Sequence, residues 1–218
     1  MDLEYWDEVY KHESNKDDRG RKIVHYPSPF AEFCLNKIMD SDSRVLELGT
    51  GNGRDAFYFS EQGCRVYAVD QSATAIEHNK NKSKEIFSNG QIEFERADFI
   101  DGLQLEVMPD FVYSRFVFHA ISAKEQTNTL SWLSAQLKSG VMLLIEARTN
   151  HDPLCGQGEL VEDSAFICGH YRRFIDSQKF IEEALNFGFR LRYFNEATGL
   201  AIYKDEDPVV MRIFLEKI

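Results

Sequence analysis

Residues 44–60 read RVLELGTGNGRDAFYFS: a short apolar run, three glycines at alternate positions, then a segment of helical character. The run Val45-Leu46-Glu47-Leu48 has the near-continuous hydrophobicity of a parallel strand covered on both faces. Gly49, Gly51 and Gly53 permit a tight turn and let a ligand approach the backbone closely. The residues that follow, Arg54-Asp55-Ala56-Phe57-Tyr58-Phe59, suit a helix lying on a sheet. The N-terminus of such a helix offers unpaired N–H groups. Strand, glycine turn and helix in this order make a cradle for a nucleotide-containing cofactor.

Two features narrow the cofactor. The glycine spacing is G-x-G-x-G, not the G-x-G-x-x-G of dinucleotide sites, and Glu47 sets an acid at the end of the strand. A carboxylate there repels a pyrophosphate and attracts a cationic amino acid moiety, which points to an adenosyl amino acid. The next apolar segment, Cys64–Val69, reads as a second strand and ends in Asp70, where an acid takes ribose hydroxyls in a Rossmann-type βαβ unit. On Glu47-Leu48-Gly49-Thr50-Gly51-Asn52-Gly53 followed by Asp70, the chain resembles the class I S-adenosylmethionine-dependent methyltransferases. The resemblance runs over residues 40–218.

That resemblance implies an α/β, Rossmann-like three-layer sandwich. Its sheet has seven mostly parallel strands in the order 3-2-1-4-5-7-6, with helices on both faces. Residues 31–218 would form this domain, and residues 1–30 an N-terminal helix and lid-like loop. The implied cofactor is S-adenosyl-L-methionine, leaving S-adenosyl-L-homocysteine as product. The implied cofactor contacts are Glu47, Gly49, Thr50, Gly51, Asn52, Gly53, Arg54, Asp70, Gln71 and Ser114, with Asp98 and Phe99 at the adenine.

The rest of the chain supplies the remaining elements. Tyr5, Trp6, Val9 and Tyr10 recur at helical spacing, and Arg19, Arg21, Lys22 and His25 cluster in the polar loop behind them. An amphipathic helix runs from Phe30 to about Met39, and further helices cover Ala73–Phe87, capped by Ser72, and Ala123–Leu137. A last helix is capped by Asp176 or Ser177 and ends at Phe187-Gly188. Gln91–Glu95, Phe111–Ser114, Val141–Glu146, Phe189–Glu196 and Val209–Glu216 read as strands, the last two joined by a turn around Asp205–Pro208. Asn150–Gly169, with Pro153, Gly156 and Gly158, reads as a loop-rich cover.

Composition bounds the function. Lys plus Arg number 25 against 36 Asp plus Glu, a net charge of −11 that disfavours a polyanionic nucleic-acid substrate. No apolar run reaches membrane-spanning length and the acidic start is unlike a signal peptide, so a cytoplasmic location is expected. Cys34, Cys64, Cys155 and Cys168 lack metal-ligand spacing and read as reduced thiols, and no metal site is expected. Nothing in the sequence indicates an oligomeric state.

Against that acidic background, cations gather where strands end. Arg115 and His119 follow the fourth strand, Arg148 the fifth, and His170-Tyr171-Arg172-Arg173 closes the loop-rich segment. Strand ends of an open α/β sheet face the ligand crevice, so these residues, with Tyr5, Tyr10 and His25, are the candidate acceptor site. Arg115 and His119 are the candidate catalytic pair, His119 as general base. Arg172 and Arg173 read as an oxyanion clamp. The pattern favours O-methylation of a phosphate, phosphonate or carboxylate on a small molecule or glycan end. YSRFVFHAI and GHYRRFID are similar to stretches of small bacterial methyltransferases of surface-polysaccharide and phosphonate pathways. The alternatives are a neutral O- or N-acceptor deprotonated by His119, or a cofactor-binding protein without catalysis.

Overall fold

A computed structural model of the chain describes residues 3–12, 26–86 and 91–218. In chain order the elements are α1 (Leu3–His12), α2 (Pro29–Ile38), β1 (Arg44–Leu48), α3 (Arg54–Glu61), β2 (Arg65–Asp70), α4 (Ala73–Ile86), β3 (Ile92–Arg96) and β4 (Phe111–Arg115). There follow α5 (Ala123–Gln136), β5 (Met142–Arg148), β6 (Glu159–Glu162), β7 (Ala165–Cys168), β8 (His170–Arg173), α6 (Ser177–Asn186), β9 (Phe189–Ala197) and β10 (Val210–Lys217).

Seven of the strands form one sheet in the order β3-β2-β1-β4-β5-β10-β9. Numbered within that sheet, this is the expected 3-2-1-4-5-7-6. The first five are parallel, and β10 runs antiparallel between β5 and β9. Strand alternation sorts the side chains into two apolar layers. Val45, Phe111, Tyr113, Leu144 and Phe214 join Phe30, Cys34, Phe57 and Phe59 of α2 and α3 on one face. Their chain neighbours Leu46, Val112, Leu143, Ile145 and Ile213 join Leu130 and Leu133 of α5 and Phe180 and Ala184 of α6 on the other. A strand buried on both faces reads as a continuous apolar run, which is why β1, β4 and β5 were recognisable.

Helix ends follow local chemistry. Ser28 caps α2, Ser122 and Glu125 form a reciprocal capping box on α5, and the Asp176 carboxylate accepts from Gln178 N and Lys179 N at the start of α6. Ser72 Oγ accepts from Ala75 N at 3.1 Å, as expected of the α4 cap.

Two regions differ from expectation. Residues 150–169 are not an unstructured cover: they contain β6 and β7, which with β8 make a three-stranded antiparallel sheet. Of the residues that read as loop punctuation only Gly169 makes one of its turns; Pro153, Gly156 and Gly158 precede β6. Ser164 (φ 56°) lies between β6 and β7, and Gly169 (φ 79°) between β7 and β8. The connection from β9 to β10 is also longer than a turn at 205–208. Residues 198–209 form an overhang, closed on itself by paired backbone bonds between Tyr203 and Glu206. Arg19, Arg21, Lys22 and His25 lie outside the described residues, as does Phe87.

The order reverses between β1 and β4, so their C-terminal ends open a crevice between diverging connections. Gly49 follows one of those ends and Phe116 the other.

Candidate active site

The glycine turn is built so tightly that its glycines cannot be exchanged. Gly49 has φ 70°, and a Cβ there would stand 2.4 Å from Val117 Cγ2. Gly51 has φ 53°, and its Cβ would meet the Tyr10 hydroxyl at 2.5 Å, because α1 lies directly over the turn. Gly53, in the left-handed region, is the N-cap of α3. The loop is tied down by Gly49 N and Thr50 N donating to Val69 O, and by the Asn79 amide donating to Gly51 O at 2.8 Å.

Acids line this end. Glu47, buried, accepts from Thr50 Oγ1 at 2.8 Å. Burial first, then the neighbouring Asp55, hold its carboxyl well above the ordinary range. Asp70 accepts Gly51 N on one oxygen and Ser72 N on the other, both at 2.9 Å. Its carboxyl is also raised by burial, against those backbone donors. The Gln71 N–H also bonds Asp70, so of a carboxylate's roughly four acceptor sites about one remains for a ribose hydroxyl. Asp55 is different: Ser28 N, Ser28 Oγ and Tyr113 Oη all donate to it, which locks α2 to α3 and β4. The arrangement fits an adenosyl amino acid, since a ligand cation beside Glu47 would relieve the crowding of acids that now disfavours its ionisation.

The opposite end holds arginines paired with carboxylates. Arg115 donates through Nε to Glu146 Oε1 at 2.8 Å and lies 4.1 Å over the Phe116 ring. Glu146, fully buried, also accepts from Arg212 Nε at 2.7 Å. Phe116 holds φ 60°, costly for an aromatic residue, with its N–H fixed on Glu146 O. Arg148, the last residue of β5 and buried, reaches Asp152 at 3.2 Å and pairs with Glu206 on the overhang.

His119 does not have the geometry of a general base. Its Nδ1 accepts the Arg148 backbone N–H at 3.1 Å, so the neutral ring carries its proton on Nε2 and no lone pair is free. Burial, then the charge of Arg148, keep it neutral far below the ordinary histidine range. The His170–Arg173 cluster is likewise divided, because β8 is a strand and its side chains alternate. His170 and Arg172 share one face: Arg172 Nη2 donates to His170 Nε2 at 3.0 Å, and the His170 ring stacks on Tyr5 with centroids 4.7 Å apart. Tyr171 turns the other way to bond Glu162. Arg173 is buried and donates to Ile121 O, Phe118 O and Gln126 Oε1, so it is a structural tie and not a clamp.

Between the two ends lies a cleft of about 410 Å³, a size suited to a small-molecule ligand. Of the expected residues, Tyr10, Glu47, Gly49, Thr50, Gly51, Asn52, Arg54, Asp70, Gln71, Phe99, Arg115 and Arg148 line it. Asp98 is exposed beside it, its carboxylate turned back on Ile100 N at 3.0 Å. Ser114 is buried within β4 with no hydrogen-bond partner for its hydroxyl among the described residues. Trp6, Phe116, Val117, Ala201, Ile202, Tyr203 and Glu206 also line the cleft and were not expected there. Trp6 was signalled by its i, i+4 spacing from Tyr10, whereas nothing marked residues 201–206 as lining. Among the described residues no group of three or more His, Cys, Asp or Glu side chains is placed to hold a metal, and no helix is long and apolar enough to cross a membrane.

A family model described as a methyltransferase domain matches residues 19–193. No curated protein matches the chain. Among solved structures, the CcbJ methyltransferase of Streptomyces caelestis is similar at TM-score 0.73 and 16% identity, covering 98% of each chain. A SAM-dependent methyltransferase of Methanosarcina mazei is similar at TM-score 0.72 and 15% identity, covering 84% of this chain and 96% of its own. The glycopeptide N-methyltransferase MtfA, solved with S-adenosylmethionine, is similar at TM-score 0.68 and 14% identity, covering 90% of this chain and 97% of its own. The structures share the fold; the family follows from the model that spans most of the chain. This chain belongs to the methyltransferase domain family, the S-adenosylmethionine-dependent class whose cofactor cradle its glycine turn resembles.

Proposed function

We propose that the protein transfers the methyl group of S-adenosylmethionine to an anionic oxygen, a phosphate, phosphonate or carboxylate on a small molecule or glycan end. The observation that carries this reading is the polarity of the cleft. Glu47 and Asp70 line one end, while Arg115 and Arg148 line the other, paired with Glu146, Asp152 and Glu206. The cofactor supplies a methyl already activated on a sulfonium. An acceptor oxyanion forms the new O–CH3 bond with its own lone pair, the S–CH3 electrons stay on sulfur, and no proton has to be removed. That chemistry suits a site in which neither His119 nitrogen has a free lone pair. A neutral hydroxyl would need a base that His119 does not provide.

The remaining residues orient the acceptor and keep water out. Trp6 and Tyr10 of α1 roof the cleft, which supports residues 1–30 as a lid. The net charge of −11 agrees with a small acceptor rather than a nucleic acid, in a cytoplasmic setting.

The test is a transfer assay with labelled S-adenosylmethionine and an extract of the source cell split into glycan, small-molecule, protein and nucleic-acid fractions. Label is expected in the glycan or anionic small-molecule fraction. Label in protein or nucleic acid would contradict the proposed acceptor, and none anywhere despite tight cofactor binding would leave a binding protein without catalysis.

A further inference from the structure

Arg115 and Arg148 both line the cleft, but their partners are unequally divided. Arg148 has two carboxylates, Asp152 and Glu206. Arg115 has half of one. It donates through Nε to Glu146 Oε1 at 2.8 Å, and the other oxygen of that carboxylate accepts from Arg212 Nε at 2.7 Å. The register of the sheet makes this row, because Arg115, Glu146 and Arg212 stand opposite one another on β4, β5 and β10. Among the described residues Arg212 has no carboxylate besides Glu146. Its Nη2 donates to Leu200 O at 2.7 Å, and its guanidinium lies 5.3 Å from the Phe33 ring centre and 5.4 Å from that of Phe30. Two guanidiniums on one fully buried carboxylate leave the row with one positive charge in excess. Arg115 is the member of the row that reaches the cleft; Arg212 is buried outside its lining.

The Arg115 guanidinium is also fixed in orientation. Its Nε is tied to Glu146, and its face lies on the Phe116 ring at 4.1 Å from the centroid. Phe116 takes φ 60° with its N–H on the backbone carbonyl of the same Glu146. Backbone strain of this kind clusters at ligand sites, where the surrounding structure enforces it. The terminal nitrogens Nη1 and Nη2 of Arg115 have no hydrogen-bond partner among the described residues.

We infer that the terminal Nη1/Nη2 edge of Arg115 holds the acceptor oxyanion, and that Arg212 is a positioning residue that keeps this edge available by sharing Glu146. The inference rests on the anionic-acceptor reading and names the residues that serve it. A guanidinium fork matches two oxygens of a carboxylate or phosphate group. A Glu146 that served Arg115 alone would occupy that fork with both of its oxygens and neutralise it. Arg212 draws off one oxygen and supplies the excess charge, acting on the ligand only through Glu146.

The test is an NMR titration of inorganic phosphate, with acetate in parallel, into the full chain isotope-labelled at its arginine nitrogens and saturated with S-adenosylhomocysteine. The Arg115 signals, assigned by their absence from Arg115→Gln, are expected to move more at Nη than at Nε, and Arg115→Gln should lose the binding. Arg212→Met keeps apolar packing on Phe30 and Phe33 without the charge, and should bind phosphate about tenfold more weakly. Arg212→Lys, which keeps the charge, should recover most of that loss. Affinity for S-adenosylhomocysteine should be the same in both Arg212 variants as in wild type. Anion binding that leaves the Arg115 Nη signals unmoved would overturn the inference without recourse to any change at Arg212. Wild-type phosphate affinity in Arg212→Met, or equal losses in Arg212→Met and Arg212→Lys, would overturn the role of Arg212. Each of these results leaves an anionic acceptor standing. Binding of neither anion to wild type would overturn both readings.

Discussion

Replacing Glu47 by glutamine separates what the cleft needs for stability from what it needs for binding. Glu47 is 4% exposed, accepts one hydrogen bond from Thr50, and has Asp55 and Asp70 as neighbouring charges, with Arg54 only weakly opposing them. Burial raises its folded pKa above the unfolded value. Such an acid contributes stability that is complete below the unfolded pKa and is lost as pH rises through the folded one, so at neutral pH its ionisation weighs against folding. Glutamine retains an acceptor for Thr50 and removes the charge. The free variant is expected to gain about 1 kcal/mol, a rise of roughly 2–4 °C in melting temperature for a domain of this size. Its affinity for S-adenosylmethionine should fall about 10- to 150-fold, the equivalent of a charge-assisted hydrogen bond of about 1.5–3 kcal/mol. Thermal melting and calorimetric titration read the two effects, and a parallel titration with S-adenosylhomocysteine locates the partner. Equal losses for both ligands mean pairing with the α-ammonium; a loss confined to S-adenosylmethionine means pairing with the sulfonium. A variant that melts lower and binds S-adenosylmethionine as tightly as wild type would refute the reasoning.

Three further perturbations probe other parts of the account. Gly51→Ala places a methyl against the Tyr10 hydroxyl at a positive φ, so α1 should undock, read as faster proteolytic cleavage near residue 12, with cofactor affinity reduced at least tenfold. Arg173→Leu leaves Ile121 O, Phe118 O and Gln126 Oε1 without their donor and should cost about 3 kcal/mol, lowering the melting temperature by roughly 6–12 °C, while leaving the acceptor KM unchanged; a raised KM in a stable variant would restore the clamp reading. His119 has a depressed folded pKa, so its contribution is complete above the unfolded value near 6.5 and is lost as pH falls through it, at up to about 1.4 kcal/mol per pH unit; His119→Asn should flatten that part of a stability–pH curve, and an unchanged slope would refute the assignment.

The sequence was most informative where a requirement was local. A strand buried on both faces, a turn that only glycine can make and an acid at the next strand's end are each set within a few residues, so Glu47, Gly51 and Asp70 were legible. The whole strand order came from the resemblance, because periodicity reveals neither the reversal between β1 and β4 nor that β10 inserts between β5 and β9. What failed to show was partnership across long separations. Glu146 reads as a strand end, yet it is held between Arg115 and Arg212, which come from two other strands. His119 reads as a free imidazole until the Arg148 N–H arrives at its Nδ1. Arg172 and Arg173 read as one clamp because Gly156, Gly158 and Gly169 suggested a loop. Once β8 is a strand, alternation sends them to opposite faces, one toward α1 and one into the fold. Of the overhang at 198–209 only a turn around Asp205–Pro208 was legible; its reach to the cleft carried no signal, since an exposed Ile202-Tyr203 beside charged residues is ordinary surface sequence.

The central claim is that an anionic oxygen accepts the methyl group, and the direct measurement is the charge of the labelled product. Methyl transfer to a phosphate, phosphonate or carboxylate oxygen converts O⁻ into O–CH3 and removes one negative charge. Transfer to a hydroxyl leaves the acceptor's charge as it was. Purified acceptor and its methyl-labelled product, run side by side on anion exchange at pH 8, should differ by one charge, with the product eluting earlier. Co-elution at the acceptor's own charge would contradict the claim.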